Sequence, residues 1–167
     1  MLTLLVAVGG TIACARRGAG GADGVQDRST SQLSRVNLDD SCIEAVARWM
    51  VHAPDEREGR TTVFFLELPN GGEPTFELLD RLSSASIRVK RRSACKFEGS
   101  YGEPVDCESG AEGTILSIGK SEQGSDGRIH VEIARHCGGL CGQGGTLTLE
   151  KRGASWVVLN YGMRWIS

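Results

Sequence analysis

The side chains best equipped for chemistry in this chain are its six cysteines, Cys14, Cys42, Cys95, Cys107, Cys137 and Cys141. A thiol can be oxidised to a disulfide, ligate a metal, attack an electrophile or carry a lipid, and its surroundings decide which. Cys137 and Cys141 are separated only by Gly138, Gly139 and Leu140, a linker pliable enough to reach bonding geometry. Cys95 and Cys107 flank a stretch of Gly, Glu, Ser and Pro, where a cross-link would restrain chain with little core of its own. Removal or lipidation of Cys14 leaves five thiols. In an oxidising compartment these make two local bridges, Cys95 to Cys107 and Cys137 to Cys141, with Cys42 free and shielded beside an apolar helical stripe. The rival connectivity joins Cys137 or Cys141 to Cys95 or Cys107.

Sharper chemistries compete for the same residues. With His136 lowering a thiol pKa, Cys137 and Cys141 would form a redox pair, although thiol oxidoreductases use two intervening residues at a helix start and here three precede a strand. His136, Cys137 and Cys141 with Cys95 or Cys107 would make a zinc site, but structural zinc favours two closely spaced pairs. Gly138, Gly139, Gly142, Gly144 and Gly145 have the composition of a phosphate cradle, yet such loops lead into a helix, and the Thr and Leu run that follows reads as a strand. The glycines are read as a turn between strands. There is no Gly-x-Ser-x-Gly elbow. No catalytic, metal-binding or cofactor-binding residue is therefore assigned, and no cofactor is expected.

Charge narrows the partners. Lys+Arg 19 against Asp+Glu 21 gives a net charge of -2, which supplies no field for nucleic acid. Arg88, Lys90, Arg91 and Arg92, with Lys96 beyond, are a local basic cluster, but only Phe97 and Tyr101 are near enough to stack on bases, so the cluster reads as a solvated strand end, with contact to an anionic membrane surface or polymer as the alternative. Glu67 ends an apolar run where ligand sites of α/β units often lie; a lone carboxylate there caps a helix or pairs with an arginine. His130 alternates with apolar neighbours and is read as exposed, and His52 suits the end of a helix.

The elements that must position these residues follow from pattern. At 167 residues, 40% hydrophobic and 24% charged, the chain suits one domain with a core of its own, and 23 glycines argue for many turns. Residues 2–13 are an apolar run too short to span a bilayer and suited to a secretory signal. Thr11-Ile12-Ala13-Cys14 resembles a bacterial lipobox, which would lipidate Cys14 and tether the chain to a membrane; Ala13-Cys14-Ala15 also has the form of ordinary signal cleavage. A buried N-terminal strand is the competing reading of residues 2–13. Residues 16–36 are nearly free of large apolar side chains and read as a flexible linker after a targeting segment of residues 1–15. Residues 37–167 remain for a single domain.

Within it, Ser41 and Glu44 have capping-box spacing ahead of Ile43, Val46, Ala47 and Met50, which recur at helical period. Residues 62–68 read as a buried strand, Phe76, Leu78, Leu79 and Leu82 as a second helix, and residues 87–90 as a strand, completing a β-α-β crossover. Residues 95–113 read as a long loop. Four strands follow at 114–118, 128–135, 146–151 and 156–161, the last two joined by Arg152-Gly153-Ala154 into a hairpin with Trp156 packed inside. The fold class is α+β, two helices against a mixed sheet with a C-terminal antiparallel meander.

The run from Cys137 through Leu140-Cys141-Gly142 and Trp156-Val157-Val158 to Trp165-Ile166-Ser167 resembles the tail of small bacterial exported proteins of no assigned activity. The hairpin ending is also similar to that of nuclear-transport-factor-like cone domains, a resemblance that implies a pocket between helices and a curved sheet. Three roles follow as expectations. The first is an exported protein of the periplasm or outer-membrane surface that binds or scaffolds without catalysis; its partner is unknown. The second is a cone-like protein with a ligand or catalytic pocket, and the third a thiol redox protein using Cys137 and Cys141.

Overall fold

The computed structural model describes residues 33–52, 63–100, 102–139 and 141–167. The expected targeting segment, with Cys14, and all but the last four residues of the expected linker lie outside them. The fold is α+β. Strand β1 (Ser34–Arg35) is followed by helix α1 (Asp40–His52), β2 (Val63–Glu67), helix α2 (Phe76–Leu82) and β3 (Arg88–Arg91). The chain continues through β4 (Cys95–Glu98), β5 (Glu103–Asp106), β6 (Gly113–Gln123), β7 (Ile129–Gly138), β8 (Cys141–Arg152) and β9 (Ser155–Ile166). Seven strands make one sheet in the order β3-β2-β6-β7-β8-β9, with β1 beside the far end of β6.

β2 is parallel to both β3 and β6, and from β6 onward every pairing is antiparallel. Strand β6 joins the two regimes. Its first residues pair with β2, Val63 opposite Gly113, while its last residues pair with β1, Ser34 opposite Gln123. The folded chain thus begins ahead of residue 37, because Ser34 and Arg35 complete the edge that β2 is too short to cover.

Both helices lie on one face of the sheet. Cys42, Val46, Ala47 and Met50 of α1 and Leu78, Leu79 and Leu82 of α2 meet Phe64, Leu66, Leu116, Ile118, Val131, Leu147 and Leu149 in the main core. The α1 start differs in detail from the capping-box expectation. Asp39 is the cap: its Oδ1 accepts from the Cys42 amide at 2.7 Å and from Ser41 Oγ at 2.6 Å. Glu44 is thereby released to bridge the helices, accepting from Arg48 on α1 and from Arg81 Nε on α2 at 2.8 Å. Thr75 caps α2 through the Leu78 amide.

Among the described residues, the opposite face is covered at one end. The stretch expected to be a loop folds as an antiparallel ribbon of β4 and β5, which lays Cys95 against Val63, Phe65 and Ile115 in a second, smaller core. Four residues per strand was too short a pattern to read among glycines and charges. The glycines expected as a turn are also in a strand, since Gly142, Gly144 and Gly145 belong to β8. Trp156 packs against the main core but remains partly exposed, with Leu147 and Leu149 of the neighbouring strand as the fully buried residues.

Candidate functional site

Strand alternation divides the meander into a helix-covered face and an open face. A row of laterally paired positions crosses the sheet: Glu67 on β2, Ser117 on β6, Ala134 on β7, Gly144 on β8 and Trp165 on β9. Three small residues in its middle make a shallow floor. Glu67 sits at one end, where its Oε2 accepts from Ser117 Oγ at 2.8 Å. Among the described residues it neither caps α2 nor pairs with an arginine.

At the other end, the glycines explain themselves. A Cβ on Gly144 would run into the indole of Trp165, one on Gly142 would meet the same ring at 3.1 Å, and one on Gly145 would run into Tyr161. Gly142 and Gly144 are thus the bed on which Trp165 lies on the open face, and Gly145 leaves room for Tyr161 on the helix-covered face, where it meets Trp49 of α1. The signal was present in the sequence as Gly142 and Gly144 at strand period, but it becomes legible only once Trp165 is known to pair with Gly144. Trp165 is still 46% exposed, and Leu159, Met163 and Ile166 on the same strand are exposed as well.

Beside the row lies a depression of about 270 Å³ lined by Leu33, Lys120, Glu122, His130, Glu132, Thr146 and Arg164. His130 reaches Thr148 at 3.2 Å through Nδ1 and Oγ1, and Arg164 stands 3.7 Å from Glu132. The lining mixes both signs of charge, which suits a polar ligand with donors and acceptors. His52 ends α1 as expected.

The cysteines part company. Cys137 and Cys141 form a disulfide, Cα to Cα 5.1 Å, across the β7–β8 hairpin. As disulfide sulfurs they are not thiolate ligands for zinc. Cys42 has no exposed surface, and burial pushes its thiol up to about 12, so it behaves as a small core residue. Cys95 and Cys107 are free thiols here, the first buried and the second exposed, so the expected bridge between them is not formed in this structure. The ladder gives the reason: Cys95 is opposite Asp106, and the next residue along points the other way. His136 packs against Phe97 at 6.0 Å between ring centres, at the ribbon's edge.

The basic cluster serves structure. Lys90 Nζ donates to both oxygens of Asp106, at 2.9 and 2.8 Å, and to Glu108 at 3.0 Å. Arg91 lies over the Phe76 ring and donates to the Pro74 carbonyl, Arg92 lies over Phe97, and Lys96 pairs with Glu98. The contacts of Lys90, Arg91 and Arg92 pin α2 and the ribbon at the β3 edge, while the Lys96–Glu98 pair stays within β4. No family model, curated protein or solved structure matches the chain.

Proposed function

We propose that the chain is an exported bacterial envelope protein, of the small exported family its C-terminal run resembles, and that it works by binding a partner through the open face and β9. The observation that supports this most directly is the concentration of exposed apolar side chains on β9, where Leu159, Met163, Trp165 and Ile166 line one outer strand. An apolar strip at a sheet edge is a hazard unless it is used. The apolar segment before Cys14 supports delivery to the periplasm or to a lipid anchor at the outer membrane.

Two experiments test the two halves. Mass spectrometry of the protein expressed in a Gram-negative host reads export: cleavage within residues 13–15, or a diacylglyceryl Cys14, is expected, and a cytoplasmic chain with intact Met1 overturns it. A photo-crosslinker placed at Met163 in living cells reads the binding surface. It is expected to give a discrete adduct that Trp165→Ala weakens at least fivefold, while a crosslinker at Arg48, exposed on α1, gives none. Equal adducts from both positions overturn the surface. The depression around His130 and Arg164 supports the second reading, a polar ligand site. It predicts that ligand protection would map to Lys120, Glu132 and Arg164 and not to Met163 or Ile166.

A further inference from the structure

We propose that Cys95 and Cys107 are a second disulfide-forming pair, in which exposed Cys107 first takes a mixed disulfide from a disulfide-bearing oxidant and buried Cys95 then displaces it. The export reading bears only on where such an oxidant is met; the geometry stands without it. Cys95 lies opposite Asp106 in the ribbon, and the amide of the next residue, Cys107, donates to the Ala94 carbonyl at 2.9 Å. Opposed residues of an antiparallel pair are about 5 Å apart and one step along a strand adds about 3.4 Å, which places the two Cα atoms about 6 Å apart. That falls inside the window of about 4.4 to 6.8 Å that a disulfide spans.

Alternation alone keeps the sulfurs apart, with Cys95 turned into the small core of Val63, Phe65 and Ile115 and Cys107 turned to solvent. Cys107 is the last residue the ribbon holds, through its amide to the Ala94 carbonyl, and residues 107–109 form a turn, so the bond closes only when the turn backbone twists the Cys107 side chain toward Cys95. The approach is also preset. Asp106 is held by Lys90 Nζ and by the Ser109 amide at 3.2 Å, so the backbone movement that the bond requires is confined to the turn that starts at Cys107.

The order of events follows from access. Cys107 thiolate attacks one sulfur of the oxidant's disulfide; that bond breaks, a mixed disulfide forms, and one oxidant sulfur leaves as a thiolate and is protonated. Cys95 then loses its proton and attacks Cys107 Sγ, which forms the internal bond and releases the second oxidant sulfur. Two thiols of the chain are oxidised, one disulfide of the oxidant is reduced, and two protons pass from one to the other. Burial raises the Cys95 thiol pKa, consistent with its acting second and only on a sulfur brought to it.

The test uses the full chain carrying Cys14→Ser, reduced and then incubated with oxidised glutathione, acid-quenched, alkylated and mapped by mass spectrometry. The expected products are a Cys95–Cys107 peptide beside the Cys137–Cys141 one. Cys95→Ser should accumulate glutathione on Cys107, whereas Cys107→Ser should leave Cys95 at least tenfold slower to react. Wild-type Cys107 that remains fully alkylatable, a peptide joining it to Cys137 or Cys141, or glutathione arriving first on Cys95 would each overturn the proposal. The reaction runs on purified protein, so its outcome is independent of where a cell delivers the chain.

Discussion

Asp106 has no exposed surface, and burial alone would push its carboxyl up; the Lys90 ammonium and the two Ser109 donors outweigh that and hold it at about 2. A carboxylate whose folded pKa is depressed stabilises the protein at pH above its unfolded value, and the stabilisation is lost as pH falls through the folded one. For Asp106 the window runs from roughly pH 5 down to about 2, and the gap between 3.8 and about 2 is worth about 2 kcal/mol. Asp106→Asn is therefore expected to lower stability at pH 7 and to flatten the loss between pH 5 and pH 3, measured by urea denaturation. An acid limb as steep as that of the wild type would show that another carboxylate carries it. The same ion pair fixes the ribbon to β3, so the residue that titrates is also the one that keeps the smaller core closed.

Strand β8 shows how an element can be invisible locally and determined by its partner. Glycine is a poor strand residue, and Gly142, Gly144 and Gly145 lower any local preference for extended chain, which is why they read as a turn. The cost is met by Trp165 and Tyr161, whose rings fill the space the missing side chains leave. Gly144→Ala is expected to destabilise by about 1 to 3 kcal/mol through the collision with the indole. In a Trp165→Ala background the same substitution should cost only a few tenths, a coupling read by thermal melts of the four-member cycle. Additive effects would show that the ring does not rest there. The elements that were legible had strong internal period: the apolar stripe of α1, the phenylalanine run of β2 and the alternation of Ile129, Val131 and Ile133. Those that were not legible fail for two reasons: the strands of the ribbon are too short to show a period, and the start of β8 depends on Trp165, about twenty positions on. Trp156 is an intermediate case. Its strand was readable, but its ring stands at the margin of the core, with Nε1 donating to Asp39 at 3.3 Å. Trp156→Ala should consequently cost about 1 to 2 kcal/mol, short of the roughly 3 to 5 of a fully buried aromatic.

At the scale of the molecule, β6 makes one body of two kinds of sheet. Its parallel neighbours and its antiparallel neighbours contribute to one main core, and Leu116, with no exposed surface, is its contact between β2 and β7. Neither half can shed β6 without opening the other, so residues 33–167 are expected to unfold in a single transition. The hairpin disulfide acts on this body only locally. Closing a loop as short as that from Cys137 to Cys141 restricts few unfolded conformations, and the chain-entropy relation gives about 2 kcal/mol, against a domain stability on the order of 5 to 15 kcal/mol. Replacing both cysteines by serine should lower the melting temperature by several degrees and leave the transition single, with coincident far-ultraviolet dichroism and tryptophan fluorescence. Leu116→Ala, by contrast, should cost about 3 to 4 kcal/mol and move both probes together, because the cavity opens where the parallel and antiparallel halves meet. Two separated transitions in either variant, with the fluorescence of Trp156 and Trp165, read in a Trp49→Phe background, lost apart from the helical signal, would show that the meander folds on its own and that β6 is a hinge between halves.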